Sequence, residues 1–401
     1  MKILFLTDNF PPEVNAPASR TYEHCREWVK QGMEVTVITC APNFPQGSIY
    51  PGYKNKLVQR EQMDGIEVIR VWSYIAANEG FIKRVLDYVS FAIMAFVVSL
   101  PVNCDVIVAT SPQFFTAVGG YLSGLLKRKP WVMEVRDLWP ESIRAVGAMK
   151  DGRAYRMLER LELFLYRKAK LVIVVTDSFK SNLIQRGIPV NKIEVVKNGV
   201  LLDQFMPREK DQALLRELCL ENQFILAYFG THGMAHGLDF IIRASVMLPV
   251  QVHVLLVGDG AEKEKLVHLL KSENITNVTM LPSVAKTEMM RYISISDVAL
   301  VNLRKSDTFK TVIPSKIFEN AAMHKPILLG VEGESKDIIE TYNAGICFEP
   351  ENEKAFIRAV NDMLNPIIYQ SYQSGCQHLA EHFNRKILAQ IMLGFISVPS
   401  S

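Results

Sequence analysis

The stretch Thr311–Gly330, TVIPSKIFENAAMHKPILLG, decides how the second half of the chain is interpreted. Pro314 is excluded from a helix interior and Ser315 is a good N-cap residue, so a helix is predicted to begin at Ser315–Lys316. It should run for about two turns, until His324 and the proline two residues later stop it. The apolar run Ile327–Leu329 then predicts a buried strand.

The start of this helix has the chemistry of a nucleotide site. Free backbone N–H groups and the positive dipole end of a helix N-terminus suit a phosphate. Glu319 shares a face with Ser315 one turn deeper, where a carboxylate can accept both hydroxyls of a ribose. Phosphate and ribose recognition one turn apart implies a nucleotide. The alternative that spacing alone leaves open is an ordinary capped, amphipathic helix with an incidental glutamate.

Composition limits the class of protein. A chain of 401 residues with 49% apolar content can bury a large core and is expected to form two domains. Its 45 basic and 42 acidic residues nearly balance, at a net charge of +3, which argues against a nucleic-acid binder held by overall charge. The six cysteines form no CxxC pair and indicate reduced thiols in a cytosolic protein. His232 and His236 would need a third ligand to hold a metal, so no metal site is predicted. No signal peptide and no confident membrane span is expected.

Apolar runs alternate with helical periods along the chain and predict an α/β fold. Ile3–Thr7 and Val35–Thr39 flank a helix expected from about Ser19, and this βαβ pattern opens a doubly wound domain. Residues 41 to 60 are expected to form a mobile surface loop. Further strands are predicted at Gly65–Trp72, Asp105–Thr110, Trp131–Val135, Leu171–Thr176, Phe224–Gly230, His253–Val257 and Asp297–Asn302.

Charged residues cluster where one of these strands ends. The sequence RDLWPES, from Arg136 to Ser142, follows the apolar strand Trp131–Val135. Ligands of α/β folds lie at the carboxyl ends of strands, so Arg136, Asp137 and Glu141 are candidate site residues.

The segment Phe81–Leu100 has a helical period, with Lys83 and Arg84 at its start and aromatic residues along it. It is either a buried helix of the first domain or an interfacial helix whose basic residues meet lipid headgroups. The sequence leaves both interpretations open.

Three motifs together resemble family 4 glycosyltransferases. They are PSKIFENAA followed by KPIL, the turn KNGV at Lys197–Val200, and RDLWPES, which is similar to a motif of the bacterial surface-polysaccharide subgroup, notably the N-acetyl-fucosamine transferases. The resemblance implies a GT-B fold, with two doubly wound Rossmann-like domains facing a central cleft. The domains would span residues 1–200 and 201–382, and a helix within 383–401 would pack back on the first.

The resemblance also implies the donor site. Glu319 matches the family's ribose-binding glutamate, whereas Thr311 stands where the family has another glutamate. Thr231 and His236 replace its diphosphate-binding arginine and lysine, so the N–H groups near Gly230, helped by Lys316, are expected to carry more of that contact. The expected donor-binding residues are therefore Glu319, Ser315, Lys316, Thr311, Gly230, Thr231, His236 and Gly258.

The first domain departs from the family pattern in two places. The paired glycines of its first loop are absent, and Asn15, Ser19 and Arg20 are expected to line an acceptor or phosphate loop instead. Arg136 replaces the family's histidine and is expected at the reaction centre, with Asp137 orienting it or accepting the acceptor's proton and Glu141 in reserve. The structural alternative is an ion pair of Arg136 with Asp137 or Glu134.

The implied activity is transfer of a sugar, N-acetyl-fucosamine or a related 2-acetamido-deoxyhexose, from its UDP form to a saccharide on polyprenyl diphosphate. Such an enzyme would serve O-antigen or capsule synthesis on the inner face of the plasma membrane, and would need no cofactor or metal. Two alternatives stay open: a GT-B sugar-nucleotide 2-epimerase, and a degenerate binding or scaffold protein, suggested by the departures from the family pattern.

Overall fold

A computed structural model describes residues 1–44, 47–75, 81–111, 113–145 and 152–397. The loop predicted at 41–60 and the helix predicted within 383–401 therefore lie partly outside the described residues. Contacts between Cα atoms divide the chain into two compact units. The first is Met1–Lys197 with the chain from Arg385, and the second is Asn198–Asn384.

The first unit is built on an eight-stranded sheet with the order β3-β4-β2-β1-β5-β6-β7-β8. All neighbours are parallel except β3, an antiparallel edge strand beside β4. The strands are β1 (Lys2–Leu6), β2 (Glu34–Cys40), β3 (Val58–Met63), β4 (Ile66–Val71), β5 (Val106–Thr110), β6 (Trp131–Val135), β7 (Leu171–Val174) and β8 (Ile193–Val195). The central strands are buried on both faces, which explains their continuous apolar sequences.

Helices cover both faces of this sheet. They are α1 (Ala16–Lys30), α2 (Phe81–Ser99), α3 (Phe114–Lys127), α4 (Glu141–Ala145), α5 (Arg153–Lys168), α6 (Asp177–Gln185) and the C-terminal α15 (Arg385–Ser397). The last of these packs on α1. Trp28 donates from Nε1 to the carbonyl of Ala389 at 2.8 Å, and Arg385 pairs with Glu23 at 3.0 Å.

The second unit has a six-stranded, fully parallel sheet with the order β11-β10-β9-β12-β13-β14. Its strands are β9 (Phe224–Phe229), β10 (Val252–Val257), β11 (Val278–Leu281), β12 (Val298–Asn302), β13 (Ile327–Gly330) and β14 (Gly345–Cys347). Its helices are α7 (Gln212–Glu217), α8 (Leu238–Ser245), α9 (Lys263–Ser272), α10 (Lys286–Ile295), α11 (Lys316–Ala322), α12 (Glu334–Thr341), α13 (Glu353–Met363) and α14 (Pro366–His382). The two sheets confirm the predicted α/β class.

Some boundaries differ from the predictions. Helix α1 begins at Ala16 rather than near Ser19, because the side chain of Asn15 accepts from the N–H of Ala18 and Pro17 suits the first turn. The region predicted as a loop at 41–60 contains the start of β3. This edge strand was not predicted because its sequence is polar. Helix α14 was not predicted.

Helix α2 confirms the predicted helix, which has a buried side and an exposed side. Phe91 is fully buried against the sheet, so it belongs to the core, whereas Ile93 and Val97 are half exposed. None of the helices described by the structure is both long enough and apolar enough to cross a membrane.

Candidate active site

The N-terminus of the helix predicted at Ser315–Lys316 lies at the carboxyl edge of the second unit's sheet, beside Gly230 at the end of β9. Helix α11 starts at Lys316, as predicted, and buries Ile317, Phe318 and Ala321 in the core. It ends at Ala322 with Met323 as the C-cap residue, and His324 takes the left-handed conformation with φ 53°. One expectation is wrong: Ser315 has helical backbone angles and its side chain makes no capping hydrogen bond.

Lys316 carries the positive charge of this site. Its ammonium lies 4.0 Å from the ring centroid of Tyr228, a cation–π contact. Burial lowers the pKa of Lys316 to about 7, and the charge of Glu319 opposes that shift. A Cβ added to Gly230 would lie 2.7 Å from the ammonium nitrogen, so a side chain at Gly230 would displace the charge.

Two neutral histidines lie beside the same tyrosine. The rings of His232 and His236 lie 6.1 and 5.8 Å from the ring of Tyr228. Burial lowers the pKa of each to about 4, so both are uncharged at neutral pH. Both ring nitrogens of the fully buried His232, and Nδ1 of His236, have no hydrogen-bond partner. Because buried polar atoms are almost always paired, these nitrogens are candidates for hydrogen bonds to a polar ligand.

The loop that holds the histidines is held in place by hydrogen bonds from residues at the end of β12 and just after it. Asn302, at the end of β12, donates to the carbonyl of His236 at 2.8 Å. Arg304 donates to the carbonyl of Met234 at 2.7 Å and pairs with Asp239. These contacts place the loop after β9 without using the imidazoles, which leaves the unpaired nitrogens in a fixed position.

Gly258 lets two loops approach each other. A Cβ on Gly258 would lie 1.8 Å from the carbonyl oxygen of Gly230, and one on Gly260 would lie 2.5 Å from that of His232. The N–H of His232 donates to the carbonyl of Asp259 at 2.8 Å. Close packing of the two loops therefore requires a glycine at position 258, in addition to the predicted contact of Gly258 with the donor.

The other predicted donor residues lie at the edge of this group. Thr231 is exposed, and its carbonyl accepts from the hydroxyl of Tyr228 at 2.8 Å. Thr311 ends a 3-10 turn, where its hydroxyl donates to the carbonyl of Thr308 at 3.1 Å. The structure therefore brings Gly230, His236, Lys316 and Glu319 together and adds His232, which the sequence suggested only as half of an incomplete metal pair. The described residues contain no cluster of three or more metal-ligating side chains.

In the first unit, Arg136 lies at the carboxyl end of β6. Its guanidinium donates to the carbonyls of Ala16 and Pro17, both at 3.0 Å, in the first turn of α1. Burial lowers the pKa of Arg136 to about 9, and the neighbouring Glu134 opposes that shift. Arg136 therefore positions the start of α1.

The predicted phosphate loop is a structural element instead. Arg20 is 1% exposed, pairs with Glu134 at 2.8 Å and donates to the carbonyls of Val196 and Lys197. The expectation that Arg20 binds phosphate is wrong, because these contacts bury its guanidinium. Asn15 is the N-cap of α1, and the N–H of Ser19 donates within the helix to the carbonyl of Asn15 at 3.0 Å. The predicted role of Ser19 towards a phosphate stays a prediction.

The first unit contains two carboxyl groups that were predicted for the site, Asp137 and Glu141, and two that were not, Asp8 and Asp87. Burial raises the pKa of Asp137, while hydrogen bonds from Ser142 and the N–H of Leu138 oppose the rise. Glu141 accepts from the amide of Asn182 at 3.4 Å. Burial also raises the pKa of Asp8, and it raises that of Asp87 to about 7, with the charges of Asp8 and Glu13 adding to the latter. A carboxyl group with this pKa can accept and return a proton near neutrality.

Asp8 and Asp87 were not predicted as site residues. Asp8 carried a readable signal, because it directly follows the first apolar strand. Asp87 carried no such signal, since it is a single acidic residue in a mostly apolar helix.

Two doubly wound α/β units, each with polar groups at the carboxyl ends of its strands, define the GT-B fold. Comparison with known families agrees for both units. Residues 15–199 match the glycosyl transferase 4-like domain, and residues 213–370 match the glycosyl transferases group 1 domain. The chain belongs to glycosyltransferase family 4 and is an enzyme of the transferase class.

Two curated relatives are informative. A protein named as a putative colanic acid biosynthesis glycosyl transferase, WcaI of Escherichia coli K12, is 25% identical over 91% of this chain and 92% of its own length. A Campylobacter jejuni enzyme named as an N-acetylgalactosaminyltransferase acting on a diphospho-undecaprenol-linked saccharide is 21% identical, over 58% of this chain and 61% of its own.

Solved structures share the fold. Sucrose-phosphate synthase of Thermosynechococcus elongatus superposes with a TM-score of 0.79 at 16% identity, over 98% of both chains. HepE of Anabaena, solved with UDP and glucose, has a TM-score of 0.72 at 17% identity over 99% of both chains.

Proposed function

We propose that this enzyme transfers a 2-acetamido-deoxyhexose, N-acetyl-fucosamine or a close relative, from a UDP donor to a saccharide linked to polyprenyl diphosphate. The transfer would serve the synthesis of a bacterial surface polysaccharide such as O-antigen or capsule, at the cytoplasmic side of the membrane. The names of the Escherichia coli and Campylobacter relatives support this class of acceptor and pathway. The Anabaena complex supports a UDP donor.

The observation that carries the proposal is the group of side chains around Tyr228. An ammonium from Lys316 and the unpartnered nitrogens of His232 and His236 lie within one small region of the second unit. Glu319 follows one turn along the helix that begins at Lys316. A nucleoside diphosphate has the matching chemistry, since its phosphates attract a cation and N–H donors while its ribose hydroxyls donate to a carboxylate.

These groups suit the departure of a diphosphate. When the acceptor oxygen bonds to the anomeric carbon, the bond from that carbon to the diphosphate breaks and UDP leaves with the electron pair. Lys316 would stabilise the charge that develops on the diphosphate, and the imidazole N–H groups would donate to its oxygens. The proton of the acceptor hydroxyl must pass to a base, for which Asp137 is the candidate in the first unit.

Turnover of labelled UDP-sugars with a polyprenyl-diphosphate-linked acceptor tests the proposal. A lengthened lipid-linked saccharide and free UDP are the expected products. A sugar nucleotide altered at C2 without transfer identifies a 2-epimerase. UDP binding without turnover of any donor identifies a binding or scaffold protein. Either of the last two results overturns the proposal.

A further inference from the structure

A cavity of about 380 Å³ lies beside β4 in the first unit. Its walls come from two stretches of chain: residues 47–49 with Asn55, from the connection between β2 and β3, and residues 72–75, which directly follow β4. Because β4 runs parallel to β2, the second stretch leaves the sheet at its carboxyl edge. Ligands of α/β folds bind at this edge, and the cavity has the size of a small-molecule site.

The lining of the cavity is aromatic and uncharged. Trp72 and Tyr74 are 37 and 40% exposed, and Ile49 adds apolar area at 38% exposure. No charged residue is among the described residues that line the cavity. Phosphates are usually held by cationic side chains and amino groups by carboxylates, so this lining favours an uncharged ligand.

Uncharged polar groups lie among the apolar ones. The amide of Asn55 donates to the carbonyl of Ser73 at 2.7 Å and accepts from the N–H of Ser73 at 3.3 Å. These bonds use one N–H and one lone pair of an amide that has two of each. Ser73 is fully buried, and its hydroxyl has no hydrogen-bond partner among the described residues. Ser48, also in the lining, is exposed. The cavity therefore combines aromatic rings with amide and hydroxyl groups.

Hydrogen bonds fix the aromatic wall of the cavity. The N–H of Trp72 donates to the carbonyl of Leu57 at 3.2 Å, and the N–H of Tyr74 donates to the hydroxyl of Ser90 in α2 at 2.8 Å. Both bonds use backbone N–H groups, so they hold the chain in place and leave the two rings at the surface. A wall that is fixed before binding lowers the entropy cost of holding a ligand.

We infer that this cavity is a second saccharide site, which binds a neutral pyranose ring of the acceptor at a distance from the growing end. A pyranose presents a face of C–H bonds, which suits the electron-rich face of an aromatic ring, and its hydroxyls suit amide and hydroxyl partners. The inference rests on the proposed function, because that function supplies a saccharide acceptor.

The place of the cavity in the sheet selects a sugar remote from the reaction. The order β4-β2-β1-β5-β6 separates the ends of β4 and β6 by four strand spacings. At about 4.8 Å per spacing this distance is roughly 19 Å, which is longer than one pyranose. Because the proposed reaction takes place near Arg136 and Asp137, after β6, the cavity contacts a sugar farther along the acceptor, towards the lipid.

Transfer to acceptors of different length tests the inference. Two polyprenyl-diphosphate acceptors with the same terminal sugar are compared, one carrying that single sugar and one carrying a pentasaccharide. Trp72→Ala should lower the ratio of kcat/KM for the long acceptor to that for the short one by about tenfold, through KM, because the stacked ring is lost. Tyr74→Ala should lower the same ratio, and Trp72→Phe should keep part of it.

Tryptophan fluorescence measures binding without turnover. Three of the four tryptophans, Trp28, Trp131 and Trp139, are buried, so Trp72 is the one that a soluble quencher such as acrylamide reaches. Maltopentaose or chitopentaose should protect the wild type from quenching. Trp72→Phe should show little quenching with or without saccharide, which assigns the signal to Trp72.

Phe164 provides the matched control. It is an aromatic residue of α5, 39% exposed and outside the lining of the cavity. Phe164→Ala should keep the wild-type ratio of kcat/KM and the wild-type protection by saccharide. Melting temperatures check that every variant is folded.

Three results would overturn the inference: no protection of Trp72 by either pentasaccharide, an unchanged ratio in both Trp72→Ala and Tyr74→Ala, or an equal fall in Phe164→Ala. Protection by a proline-rich peptide or by phosphatidylglycerol vesicles, and by no saccharide, would also overturn it and assign the cavity to that partner. Protection by a saccharide in a protein that transfers sugar to no acceptor would overturn the proposed function and support the second site.

Discussion

Lys316 is expected to make the proposed donor site sensitive to pH. Its ammonium is held against Tyr228, and burial lowers its pKa to about 7. A diphosphate binds the charged form, so binding takes up a proton once the pH exceeds the pKa of the free site. UDP affinity is therefore expected to fall between about pH 7 and about pH 9, by at most about tenfold per pH unit. Calorimetric titration at several pH values measures it.

The Lys316→Met variant should bind UDP weakly, and its UDP affinity should not change with pH over that range. Lys271→Met, at an exposed lysine, should keep the pH dependence of the wild type. A slope that persists in Lys316→Met would assign the proton to another group. The histidines are poor candidates for it, because burial lowers the pKa of His232 and that of His236 to about 4.

Glu319 is expected to accept hydrogen bonds from the ribose. Glu319→Ala should cost about 2–4 kcal/mol of UDP binding, because a charged acceptor of two hydroxyls is lost. The wild type should prefer UDP over 2′-deoxy-UDP, and the variant should lose that preference. Glu340→Ala, on the exposed side of α12, is the control. UDP affinity within about twofold of wild type in Glu319→Ala would remove this residue from the site.

Arg136 is expected to act in the reaction and to hold the start of α1. Arg136→Lys should lower kcat by roughly a hundredfold with a modest change in stability, because the ammonium of lysine cannot replace the planar guanidinium and its paired N–H donors. If Arg136 is only structural, its role is to donate the two hydrogen bonds to the carbonyls of Ala16 and Pro17. A lowered melting temperature with kcat per folded molecule preserved would leave Arg136 a positioning residue only.

Single residues differ in how far the sequence reveals them. The start of α11 was predictable because proline and helix-forming residues act locally, and Lys316 and Glu319 could be placed on that helix. The unpaired nitrogens of His232 were not predictable, since they follow from burial by loops distant in sequence. Arg20 was wrongly assigned for the same reason. Its partner Glu134 lies more than a hundred residues away and is hidden inside an apolar strand.

At the scale of elements, the apolar strands were predictable because parallel strands buried on both faces need continuous apolar sequence. Edge and terminal elements were not. Strand β3 alternates between exposed and half-buried residues at a sheet edge, and α1 begins before the predicted serine because Asn15 caps it. Helix α1 also joins distant parts of its unit, since it contacts Arg136, Glu134 and Arg385.

The loops after β9 and β10 depend on a glycine at their closest approach. Gly258→Ala would place a methyl group 1.8 Å from the carbonyl oxygen of Gly230, so the loops must separate. The expected cost is about 1–3 kcal/mol of stability with a loss of UDP affinity. Thermal unfolding and calorimetry measure the two effects.

Gly394 provides the matched control for that substitution. No atom lies within 4 Å of a Cβ added to it, and it is inside α15. Gly394→Ala should therefore leave UDP binding unchanged and raise stability by up to about 1 kcal/mol. Equal melting temperatures for Gly258→Ala and the wild type would contradict the close packing of the two loops.

For the whole molecule, we propose that this glycosyltransferase moves a 2-acetamido-deoxyhexose from UDP to a lipid-linked saccharide, with Lys316 and Glu319 holding the donor. The most direct measurement is product formation from a panel of labelled UDP-sugars with a polyprenyl-diphosphate-linked acceptor. The wild type should lengthen the lipid-linked saccharide with a 2-acetamido-deoxyhexose donor, and Lys316→Met and Glu319→Ala should each lose most of kcat/KM. Transfer from a different class of nucleotide donor, or unchanged kcat/KM in both variants, would contradict the account.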